Sequence, residues 1–123
     1  MISGTVDARL DATIPLKVYS PTGLTQDITA AIDTGYNGAL TLPSAVVVAL
    51  SLPPLSSGGV VLADGTRRGL SFFQAHILWD GQMRTVRVLC MEANPLVGTA
   101  LVSGYHLGVD FVAGGVVTIS ALP

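Results

Sequence analysis

Hydrophobic residues recur at every second position through much of this chain. Ile14, Leu16 and Val18 alternate within Leu10 to Tyr19, and Ile28, Ala30 and Ile32 alternate further on. A period of two puts such residues on one face of a strand. Leu40 and Leu42 repeat the pattern, and Ile2 to Val6 is short and rich in β-formers. Three hairpins are predicted where β-rich runs flank glycine turns. Val60-Val61-Leu62 leads into Ala63-Asp64-Gly65-Thr66. Leu70 to Trp79 leads through Asp80-Gly81 into Met83 to Met91. Val109-Asp110-Phe111 leads through Ala113-Gly114-Gly115 into Val116 to Ile119.

Two stretches break the alternation. Val46 to Leu50 follows Pro43-Ser44-Ala45 and predicts one or two helical turns, because proline is well tolerated at a helix start. Pro53-Pro54 ends it. Thr99 to His106 predicts a second brief helix. The pattern as a whole predicts an all-β barrel or sandwich with one or two short helices. At 123 residues, the chain suits a single domain spanning 1–123.

Composition narrows the function classes. Half the residues are hydrophobic and only 11% are charged, a surface that suggests cover by a partner. Net charge is −2 and the six basic residues are scattered apart from Arg67-Arg68, so no nucleic-acid partner is expected. Mean hydropathy is high at +0.62, yet the longest apolar run, Ala45 to Leu50, falls far short of the roughly 20 residues a membrane span needs. Asp7, Arg9 and Asp11 near the N-terminus do not fit a signal peptide. The single Cys90 has no internal disulfide partner. A cytoplasmic location is the expectation. His76 and His106 lack neighbouring ligands in sequence, so neither a metal nor a cofactor is expected.

Asp33-Thr34-Gly35 is the strongest chemical signal. It ends one strand-like run and precedes another, so the Asp33 carboxylate sits at a tight turn. A plain turn role, with the side chain capping its own backbone, is the simplest reading. The other reading is catalytic, and it requires a second carboxylate, because the best-known chemistry of such turns uses two carboxylates sharing one proton. The motif occurs once in the chain.

In context the chain resembles the retropepsin-like aspartic proteases, in particular their small bacterial single-domain members. The matching pieces are Ala31-Ile32-Asp33-Thr34-Gly35, Leu40-Thr41-Leu42-Pro43, Ala63-Asp64-Gly65, Leu96-Val97-Gly98 and Val109-Asp110-Phe111. They cover nearly the whole chain in the family's order. The resemblance implies a closed retropepsin-like barrel with a flap hairpin and a homodimer cutting peptide substrates. Asp33 would be the catalytic carboxylate, one from each subunit. Thr34 and Gly35 would form the active-site turn and dimer lock. Ala63, Asp64, Gly65 and Thr66 would form the flap tip over the substrate. Leu96, Val97 and Gly98 would support the catalytic turn. Two departures stand out. Tyr36 occupies a position where many members carry Ala or Ser. Asn37 and Thr99 stand where retroviral enzymes pair an Asp with an Arg, which suggests a neutral contact in place of an ion pair. A non-catalytic dimer of the same fold that binds peptides or scaffolds an assembly is the rival reading.

Overall fold

The computed structural model describes residues 1–61 and 67–123, with side chains described except at 56–61 and 67–69. Alternation becomes strand wherever the sequence shows it most plainly. In β2 (Ala12–Tyr19), Ala12, Ile14, Leu16 and Val18 turn inward and Lys17 turns out. β2 pairs antiparallel with β3 (Thr25–Ile32) from Thr13↔Ala31 to Tyr19↔Thr25. β4 (Leu40–Leu42) is buried along its whole length. It is followed by α1 (Ser44–Ala49), then β5 (Pro54–Val61), β6 (Arg67–Trp79) and β7 (Gln82–Cys90). β8 (Leu96–Val97) and α2 (Thr99–Val102) precede the closing pair, β9 (Tyr105–Val109) and β10 (Val116–Ala121). β1 (Ile2–Val6) lies between β2 and β10.

The strands form one sheet in the order β5-β6-β7-β4-β8-β3-β2-β1-β10-β9, and β6 also pairs with β2. That extra pairing, Val18↔Ile77 and Tyr19↔His76, closes six strands into a barrel. Closure removes the open edges that a flat sheet would expose. β1, β10 and β9 extend from one side of the ring. β5 and the long β6 form the hairpin arm on the other, paired out to Val61↔Arg67. The predicted flap tip, Ala63 to Thr66, lies outside the described residues.

One core fills the barrel. Ile14, Val18, Leu40, Leu42, Ile77, Val88, Val97, Leu101 and Ile119 are fully buried within it. Each such side chain contributes about 1.5–3 kcal/mol of burial. Trp79 belongs to this core and meets Tyr105 edge-to-face with ring centroids 5.9 Å apart. Among the described residues, no helix is long and apolar enough to cross a membrane.

Two elements differ from the sequence expectation. The second helix stops at Val102, and Tyr105–Val109 is a strand. Its five residues pair with β10 from Val109↔Val117 to Tyr105↔Ala121, and that ladder outweighs a weak helical signal. Pro54, expected only to end the first helix, also begins β5. β5 is an edge strand, where a residue without N–H is tolerated.

Candidate active site

β8 lies between the two strands that enter and leave the Asp33 turn. It runs parallel to β3 (Ala31↔Leu96, Ile32↔Val97) and antiparallel to β4 (Leu40↔Val97, Thr41↔Leu96). The chain between β3 and β4 must therefore cross over the end of β8. Backbone bonds stitch that crossing down. Asp33 N donates to Val97 O at 2.9 Å, Gly98 N to Ala39 O at 3.0 Å, Thr99 N to Tyr36 O at 2.8 Å and Ala100 N to Gly38 O at 3.2 Å. The buried Thr41 hydroxyl accepts the Leu96 N–H at 3.0 Å. A short strand with few internal partners is thus held from both sides.

Within the turn, Asp33 Oδ1 accepts the Gly35 N–H at 2.9 Å. Tyr36 N donates to Asp33 O at 3.1 Å. So the carboxylate has the turn-capping role of its simplest reading, which fixes its direction and leaves its second oxygen available for other chemistry. Asp33 is half-buried, whereas Thr34 and Gly35 are exposed.

Crowding at two glycines explains the next residues. A Cβ on Gly98 would stand 2.1 Å from Gly38 O, and 2.6 Å from both Tyr36 Cδ2 and Tyr36 O. A Cβ on Gly38 would stand 2.2 Å from the Tyr36 hydroxyl oxygen and 2.4 Å from Cζ. The Tyr36 ring is thus seated where both glycines lack a side chain. Burial pushes the Tyr36 hydroxyl above the ordinary tyrosine range, and the nearby Arg87 charge opposes that shift. Asn37 is exposed, and among the described residues no hydrogen bond joins its side chain to that of Thr99. The hydrogen bond that does tie Thr99 to the turn is the backbone one to Tyr36.

A cavity of about 400 Å³ opens beside Asp33, with Arg9, Asp11 and Asn94 on its walls. Sequence reasoning did not assign Arg9 or Asp11 to the site. They lie in the β1–β2 loop, which Asp7 organises: its Oδ1 accepts from Arg9 N and Asp11 N, both at 2.9 Å. Leu10 between them has φ 64°, a left-handed conformation uncommon for a side chain of its size. The signal in the sequence was three charges within five residues of a chain otherwise poor in charge. On the other side of the turn, Tyr36 and Gly38 face Leu70, Phe72, Arg87 and Leu89 across a second cavity of about 330 Å³. A third cavity, bounded by Met1, Lys17, Asp27 and Asp80, shares no residue with either.

A barrel whose turn carboxylate crosses over a strand lodged between its own flanking strands is a retropepsin-like fold. The solution structure of the simian foamy virus (mac) protease is similar to this chain, with a TM-score of 0.55 at 16% sequence identity. The match covers 72% of this chain and 91% of that one. No family model and no curated protein matches the sequence.

Proposed function

We propose that the chain is a retropepsin-like aspartic endopeptidase that acts as a homodimer, with one Asp33 from each subunit. The single observation that carries this reading is the Asp33 turn itself. It is clamped to β8 by backbone bonds, in a fold shared with a viral protease, and it presents Thr34 and Gly35 to solvent. A two-fold axis through exposed, identical turns would bring like side chains face to face. Leu10, in the loop beside Asp33, offers further exposed apolar surface to a second copy.

Two carboxylates a few ångströms apart hold one proton between them, since ionising both is costly. The ionised member takes a proton from a water as its oxygen attacks the peptide carbonyl carbon. The protonated member donates a hydrogen bond to the carbonyl oxygen. The tetrahedral intermediate then collapses as a proton passes to the leaving nitrogen. An extended peptide would lie under the β5–β6 arm, with Thr34 and Gly35 at the dimer contact and Ala63 to Thr66 as the flap tip. Leu96, Val97 and Gly98 would hold the turn in register.

The test is cleavage of a peptide library between about pH 4 and 8, with wild type and Asp33→Asn side by side. Asp33-dependent cleavage that rises faster than linearly with protein concentration is the expected result. A confirmed dimer with no Asp33-dependent cleavage would overturn the protease reading. A chain that cleaves while sedimenting only as a monomer would overturn the shared pair.

A further inference from the structure

The second cavity, between Tyr36 and the β6–β7 hairpin, has walls unlike those around Asp33. One wall is the Tyr36 ring. Another is the Phe72 ring, with the Arg87 guanidinium carbon 3.8 Å from its centroid. Leu70 and Leu89 complete an apolar lining. Phe72 and Leu89 are directly paired across the hairpin, so this part of the lining is fixed by strand register. Tyr36 is fixed independently, by the missing side chains of Gly38 and Gly98. The two walls therefore cannot close on one another without breaking a ladder or displacing a wedged ring. The space they leave, about 330 Å³, suits one large side chain.

We propose that this cavity is a side-chain pocket for an aromatic residue of an extended peptide, with Tyr36 as its specificity-determining wall. In naming a peptide as the ligand, the pocket rests on the reading of Asp33 given above. Tyr36 connects the two sites: its N–H bonds to Asp33 O, and its ring lines the pocket. On this proposal a peptide held at Asp33 would extend over Tyr36 and place one side chain between the Tyr36 and Phe72 rings. Aromatic side chains gain most from it, because each buries about 150–250 Å² and offset or edge contacts with another ring add about 0.5–1.5 kcal/mol. Small side chains leave it unfilled, and an ammonium group would lose hydration against the apolar walls and meet the Arg87 charge.

Binding separates this pocket from catalysis. Blocked hexapeptides carrying Phe, Leu or Ala at one scanned position are titrated against the Asp33→Asn protein, so that no peptide is cut. At one position Phe should bind about tenfold tighter than Ala, the size of effect a filled apolar pocket gives. Adding Tyr36→Ala should shrink that ratio to about twofold or less, while Tyr36→Phe should keep it. A purely structural Tyr36 would weaken all three peptides alike and leave the ratio intact. The pocket is overturned if no position prefers Phe, or if the preference survives Tyr36→Ala. Should Tyr36→Ala fail to fold, NMR on the Asp33→Asn protein decides. Nuclear Overhauser contacts from the peptide Phe ring to Tyr36 and Phe72 support the pocket, and contacts confined to other residues overturn it. Aromatic binding that depends on Tyr36, in a wild-type protein that cuts nothing, supports the pocket and overturns the protease. Asp33-dependent cleavage indifferent to Tyr36 does the reverse.

Discussion

Gly98 and Gly38 are packed so closely that a methyl group on the first would stand 2.1 Å from the carbonyl oxygen of the second. That oxygen is also the acceptor for Ala100 N–H. The contact fixes the Asp33 turn against α2, and it leaves no room for adjustment by a side chain. Gly98→Ala should cost at least the upper end of the usual 1–3 kcal/mol for overpacking, roughly. Gly38→Ala meets mainly the tip of the Tyr36 ring, so removing that ring should relieve it. In a double-mutant cycle measured by urea denaturation, Tyr36→Ala should rescue Gly38→Ala by about 1 kcal/mol or more and should not rescue Gly98→Ala to the same degree. Equal rescue of both would show that the ring, rather than backbone contact, sets the spacing.

Asp33 has two separable duties, and two substitutions divide them. Asn keeps an oxygen to accept the Gly35 N–H, now at 2.9 Å, whereas Ala does not. Asp33→Asn should therefore unfold within about 0.5 kcal/mol of wild type. Asp33→Ala should lose about 0.5–1.5 kcal/mol, toward the low end because the bond is exposed. Both should lose peptide cleavage by about 10²-fold or more, as expected on removal of a general acid–base group. Thermal melts and initial rates on the same samples check both statements.

Glu92 caps a helix it does not belong to. α1 has no side-chain cap of its own, and Glu92 Oε1 accepts the Ser44 N–H at 2.8 Å. Hydrogen bonds from the Ser44 side chain and then its backbone hold the Glu92 carboxyl below the ordinary carboxylate range. A group whose pKa falls on folding stabilises the fold above its unfolded value, and that contribution is lost as pH drops through the folded value. Glu92→Gln should thus lower Tm near neutral pH, and the gap from wild type should narrow as pH falls below about 4. A gap independent of pH would mean that the charge is irrelevant.

The same carboxylate affects Cys90. Burial first, and the Glu92 charge second, push the Cys90 thiol up. Less thiolate at a given pH means slower alkylation. Iodoacetamide should react with Cys90 more slowly than with a free cysteine at about pH 8, and Glu92→Gln should recover part of the difference. No recovery would leave burial as the whole cause.

Asp7 should matter more than its half-buried place in a loop suggests. Its Oδ1 holds Arg9 N and Asp11 N, and so shapes the loop that shares a cavity with Asp33. Asp7→Ala should cost about 1 kcal/mol from these two bonds, and Asp7→Asn much less, because the amide oxygen can still accept them. If the loop contacts substrate, Asp7→Ala should also raise KM for peptide cleavage while Asp7→Asn leaves it near wild type. Steady-state kinetics on the pair decides the point.

Local alternation determined much of this protein. Ile14, Leu16 and Val18 declare β2, Pro43 and Pro53 bracket α1, and Asp80-Gly81 marks a hairpin, because each depends only on neighbouring residues and the period of two. The Asp33 turn was legible as a turn between two strand-like runs, whereas the Leu96-Val97-Gly98 run stood out only through the resemblance to retropepsin-like proteases. Only the tertiary structure decided where those pieces meet. It placed β8 between β3 and β4, brought Arg9 and Asp11 beside Asp33, and seated Tyr36 over two glycines distant from one another in the chain. It also turned Tyr105–Val109 into a strand by supplying β10 as a partner. Strand partners and close approaches are non-local: a residue's alternation tells which way its side chain points, but not which backbone will lie alongside it.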